Sequence, residues 1–258
     1  GDWYDAFLQP DGATVLVIGD VVGHDVTAAA AMGQVRSILR GIGAATGDAP
    51  ATLLARVDRA LRTLQSETIA TAVVARIEQT EDEWERGITH VRWSNAGHPE
   101  PMVINPDGTV ALLAGVRPDI LLGVRPDSRR VESEVTLDRG ATVLLYTDGL
   151  VERRDRGLRD GMADLRDALG ELAAQDLGLS ELCDAVIARL VPPHPADDVA
   201  LVAVRLHRQD RPRPAEAGPN SVPPDVPDEP GSPAAPGSDQ PPSPGSKRPA
   251  LPGTEHSS

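Results

Sequence analysis

Aspartates stand at the ends of three apolar runs that lie far apart in this 258-residue sequence. Asp20 follows Thr14-Val-Leu-Val-Ile-Gly19, Asp148 follows Ala141-Thr-Val-Leu-Leu-Tyr-Thr147, and the pair Asp197-Asp198 precedes Val199-Ala-Leu-Val-Ala-Val204. A carboxylate is costly to bury alone, so several of them where buried strands stop point to a shared divalent cation. Asp2 and Asp5, in Gly1-Asp-Trp-Tyr-Asp5, offer further oxygens. With no Cys/His cluster in the sequence, the donor set is oxygen-only and favours Mg²⁺ or Mn²⁺ over zinc. Each acid also has a local alternative, Asp20 as the cap of a following helix and Asp148-Gly149 as a plain turn. The repetition of an acid after an apolar run favours the shared site.

The elements that must position these residues are read from periodicity. Trp3 to Leu8 and Thr14 to Gly19 predict a hairpin around the turn Pro10-Asp-Gly12, delivering Asp20 to its end. A helix capped by Asp25 or Thr27 runs through Ala28–Ala31 to Arg40, and a second spans Ala51 to Leu64, with Leu53, Leu54, Val57, Leu61 and Leu64 on one face. Strands follow at Thr71 to Ile77 and Ile88 to Ser94, joined by an acidic loop, Glu78 to Glu85. Further strands are expected at Met102–Ile104, Val110–Leu113, Val131–Leu137 and Thr142–Tyr146. Two more helices, Met162 to Ala174 and Leu179 to Leu190, precede a last strand, Val199 to Leu206. Helices grouped between blocks of hairpins predict an α+β fold.

Composition narrows the function classes. A net charge of −14, with no basic stripe, argues against nucleic acid as a partner. No apolar run approaches the length needed to span a membrane, and no basic-then-apolar leader opens the chain, so a soluble, cytoplasmic protein is expected. The single cysteine, Cys183, falls in a helical pattern and reads as a small core residue. From residue 207 to 258 the chain is rich in Pro, Gly, Ser and acidic residues and poor in aliphatic ones. It is expected to be a disordered tail to a domain formed by residues 1–206.

Six motifs, in order, resemble the bacterial metal-dependent protein phosphatases of the SpoIIE/RsbU type. They are Gly1-Asp-Trp-Tyr-Asp5, Gly19-Asp-Val-Val-Gly-His24, Ser94-Asn-Ala-Gly-His-Pro99, Leu121-Leu-Gly-Val124, Leu145-Tyr-Thr-Asp-Gly-Leu-Val-Glu152 and Asp197-Asp-Val-Ala-Leu201. The resemblance implies a PP2C-like α-β-β-α sandwich of two antiparallel sheets flanked by helices. The family carries a further strand ahead of its Gly-Asp motif, so a sheet lacking its first strand is expected. The implied activity is hydrolysis of phosphoserine or phosphothreonine on a phosphoprotein, commonly an anti-anti-sigma (STAS) protein. A non-catalytic phosphatase-like binding module is the alternative.

By the same resemblance, Asp20 bridges two Mn²⁺ or Mg²⁺ ions, with Asp2, the Val21 carbonyl, Asp148 and Asp197 as further ligands and Asp20 and Asp148 central to catalysis. Asp5, His24, Gly149 and Asp198 surround them, and His98 organises a turn between strands. Two ions roughly 3.5–4 Å apart activate a water for in-line attack on phosphorus, so no covalent nucleophile is needed. A homodimer or an upstream sensor domain is the expected regulatory context.

Overall fold

The computed structural model describes residues 1–23, 25–115, 119–152, 157–175, 177–195 and 197–207. His24 and the Pro-rich segment from residue 208 onward lie outside these described residues.

Alternation of buried and exposed residues along β1 (Asp2–Leu8) turns Trp3, Asp5 and Phe7 to one face of the sheet. The neighbouring β2 (Thr14–Val21) is buried on both faces, as its unbroken apolar run requires. It runs two residues beyond the expected end, so Asp20 lies within the strand. β1 and β2 join β3 (Ala70–Glu78), β4 (Ile88–Ala96) and β7 (Ser133–Asp138) in a five-stranded sheet of order β1-β2-β3-β4-β7. A second sheet has the order β6-β5-β8-β9, from β5 (Met102–Ile104), β6 (Val110–Leu112), β8 (Thr142–Tyr146) and β9 (Leu201–Arg205). Every pairing between these strands is antiparallel.

Three apolar layers hold the molecule together. Helices α1 (Val26–Ala45) and α2 (Pro50–Thr63) cover the outer face of the first sheet through Val35, Leu39, Leu53, Leu54, Val57 and Leu61. Leu16, Ile18, Val73, Val91, Val143 and Leu145 fill the space between the sheets. Helices α4 (Leu158–Ala173) and α5 (Leu179–Leu190) cover the second sheet through Leu165, Leu169, Leu182 and Val186. The result is the expected four-layer α-β-β-α order, with β1 at the edge of its sheet among the described residues.

One local expectation is corrected, and one crossing is added. The acidic stretch read as a loop contains a short helix, α3 (Glu81–Arg86), held by a capping box in which the Thr80 hydroxyl bonds the Glu83 amide and the Glu83 carboxylate bonds the Thr80 amide. Gly87, in the left-handed region at φ 72°, ends it. Although β7 and β8 are separated by a tight turn, they belong to different sheets, so the chain crosses between the layers at residues 139–141.

Candidate metal centre

The register of the first sheet sets Asp2 directly opposite Asp20, and Asp20 opposite Thr71 on its other side. Opposed residues share a face, and like charges placed so are destabilising. The second sheet adds a third acid: Asp148 opens a single 3-10 turn, Asp148–Leu150, immediately past β8. One carboxylate oxygen from each of Asp2, Asp20 and Asp148 lies within 4.8 Å of the other two. Asp20 is not the cap of α1, because Asp25 fills that role, accepting a hydrogen bond from the Ala28 amide at 2.7 Å.

The crowding is not neutralised by any side chain of the cluster. Burial, with added repulsion from Asp20, Asp148 and Asp198, pushes the Asp2 carboxyl up to about 7 despite a hydrogen bond from Thr147. Burial, then Asp20, Asp197 and Glu152, also raises Asp148. An oxygen-only donor set with excess negative charge suits a hard divalent ion.

Thr147, which the sequence reading did not single out, anchors the cluster. Fully buried, it donates its hydroxyl to Asp2 Oδ2 at 2.6 Å and accepts from the Ala200 amide at 2.8 Å. Its signal in the sequence was a hydroxyl directly before the strand-terminal acid. His98 organises its turn through reciprocal bonds with Asn95, both 2.8 Å, and also spans the two sheets. Its Nδ1 pairs with the Thr71 hydroxyl at 2.8 Å, and its Nε2 with the Tyr146 carbonyl at 3.1 Å. Burial depresses the imidazole to about 4, so the neutral ring donates from Nε2 and accepts at Nδ1. Thr71 sits opposite Asp20, and Tyr146 precedes Asp148 by two residues. His98 therefore ties together the two sides that carry the acids.

The remaining expected residues divide. A side chain on Gly149 would overlap the Asp198 carbonyl, so glycine permits the 197–200 strand entry to close on the turn. Asp197 and Asp198 are exposed beside the cluster but outside the group of three. Asp5 points away: it is buried on the opposite face of β1 from Asp2, accepting from Arg40 at 2.5 Å and Arg36 at 3.4 Å of α1. The expectation that it surrounds the metal ligands is thereby corrected, since residues three apart on a strand face opposite ways.

Residues 10–207 match the family model described as Stage II sporulation protein E (SpoIIE). Protein IcfG of Synechocystis sp. is 29% identical over 177 residues, which are 60% of this chain and 27% of that protein. The RsbU and RsbW domains of Rv1364c from Mycobacterium tuberculosis align at 32% identity and a TM-score of 0.69, over 81% of this chain and 57% of theirs. The SiaA-PP2C domain of Pseudomonas aeruginosa, 23% identical, shares the fold at a TM-score of 0.63 over 80% of this chain and 79% of its own. The chain thus spans well under two thirds of the first two of these proteins.

Proposed function

The chain belongs to the SpoIIE family and has its PP2C-like fold, and from that premise we propose that it is a metal-dependent protein serine/threonine phosphatase. The observation that carries the reading is the convergence of Asp2 and Asp20, from one hairpin, with Asp148, from a distant turn of the other sheet. Asp20, Asp2, Asp148, Asp197 and the Val21 carbonyl would hold a pair of Mn²⁺ or Mg²⁺ ions. When bound, such ions supply Lewis-acid activation of water and neutralise charge on the phosphoryl group. The first sheet contributes Asp2 and Asp20 from paired strands, so their separation is fixed by a backbone ladder. Asp148 approaches from the second sheet, and His98 fixes that approach through Thr71 and the Tyr146 carbonyl. Thr147 orients one oxygen of Asp2 and leaves the other for a cation.

The resemblance to RsbU-type enzymes supports a phosphorylated anti-anti-sigma (STAS) protein as substrate, with the cytoplasm as compartment. No helix among the described residues is long and apolar enough to cross a membrane. The test is turnover of p-nitrophenyl phosphate, then of phosphorylated STAS proteins, with and without Mn²⁺, in the wild type and in Asp20→Asn. Metal-dependent turnover that Asp20→Asn abolishes supports the reading. A folded wild type that binds phosphorylated protein without hydrolysing it would identify a non-catalytic module instead.

A further inference from the structure

An ion pair with both side chains enclosed lies beneath the helical layer of the first sheet. Asp58 of α2, among Leu54, Val57 and Leu61, is 0% exposed, and the Arg130 side chain is 1% exposed. Arg130 donates from Nε at 3.0 Å and Nη2 at 2.6 Å to Asp58 Oδ2. Withdrawing two charges from water costs enough that well-packed apolar residues often serve stability equally well, so such a pair is informative for what else it grips. Here it grips main chain. Arg130 donates to the carbonyls of Ile120 and Leu121, and Asp58 Oδ1 accepts from the Gly123 amide at 2.9 Å.

The gripped segment is linked to the metal centre through the start of β3. β4 ends at Ala96, opposite Ala72, and Leu122 takes its place beside Ala70 through two backbone bonds, 2.9 and 3.3 Å. Gly123 lies so close to Thr68 that a side chain would overlap the Thr68 carbonyl. On its other edge Ala70 pairs with Val21, and the Ile69 carbonyl accepts from the Val22 amide at 3.1 Å. A continuous backbone path therefore runs from α2 through residues 120–123 and 68–70 to the Val21 carbonyl and its neighbour Asp20.

We propose that Asp58 and Arg130 are a positioning pair that sets the Val21 carbonyl and Asp20 against Asp148 and so fixes the affinity for the divalent ion. The inference rests on the metal reading above. The test replaces the pair by apolar residues of similar bulk, Asp58→Leu with Arg130→Met, and measures Mn²⁺ binding by calorimetry and amide exchange at Val22, Ala70 and Leu122. Expected are a thermal midpoint near that of the wild type, Mn²⁺ affinity weakened about tenfold, and faster exchange at all three amides with the middle of β3 unchanged. A folded double variant with wild-type Mn²⁺ affinity, or with faster exchange at Leu122 but none at Val22, overturns the proposal.

Should the double variant not fold, Arg130→Lys keeps the charge but cannot fork to Asp58 and both carbonyls at once. It should move Mn²⁺ affinity and Val22 exchange in the same direction, and no change in either refutes the pair's role. A wild type that binds no Mn²⁺ would defeat the metal reading and with it the affinity claim. The exchange measurements separate the two failures, since they still report whether the pair holds Val22.

Discussion

His98 makes the acid stability of this domain a measurable property of one ring. Burial holds its imidazole at about 4 in the folded chain against 6.5 for the free group. The unfolded chain therefore takes up the proton first on acidification. The contribution of this ring is complete above about pH 6.5 and is lost progressively as the pH falls towards 4. The difference of about 2.5 units, at ~1.4 kcal/mol each, gives a loss of about 3–4 kcal/mol attributable to this ring. His98→Gln cannot titrate there. Denaturant unfolding of both proteins between pH 4 and 8 should show the wild type ahead at neutral pH, with its advantage shrinking by about 3–4 kcal/mol at the acid end. A pH-independent gap between the two would refute the assignment of a buried neutral histidine joining the sheets.

Thr147→Val removes the donor to Asp2 and strands the Ala200 amide, so unfolding free energy should fall by about 1–3 kcal/mol and Mn²⁺ affinity about tenfold by calorimetry. Gly149→Ala forces a methyl group against the Asp198 carbonyl and should cost about 1–3 kcal/mol in a denaturant titration, with weaker Mn²⁺ binding because residues 197–200 are displaced. Deleting residues 208–258 should leave the melting temperature and any Mn²⁺-dependent turnover unchanged, since that segment has too little apolar surface to pack on the domain.

What the sequence displays is local. The strands ending near Asp20 and Asp148 announce themselves because an apolar run and an acid are adjacent in the chain, and α1 and α2 because their apolar residues recur at helical spacing. α3 was missed because it has no apolar face; only Thr80, Glu83 and Gly87 marked its ends. Asp5 was grouped with Asp2 by proximity, although an odd spacing on a strand already separates their faces. The supports of the site are hidden for another reason. Thr147 meets Asp2 across 145 residues, and Arg130 meets Asp58 across 72. A partner so distant leaves no periodic trace, and only the folded register brings it into view.

The same separation gives the molecule a biosynthetic order. Asp2 and Asp20 are paired within one hairpin, yet Asp148 and the Ala200 amide that seats Thr147 are made long after it. A nascent polypeptide halted anywhere before residue 148 carries two repelling acids and no third arm with which to hold an ion. The proposed phosphatase is thus silent until its Asp148 arm has been made. On that proposal it would acquire a cation, and the added stability that binding to the folded state alone confers, only once both sheets have met.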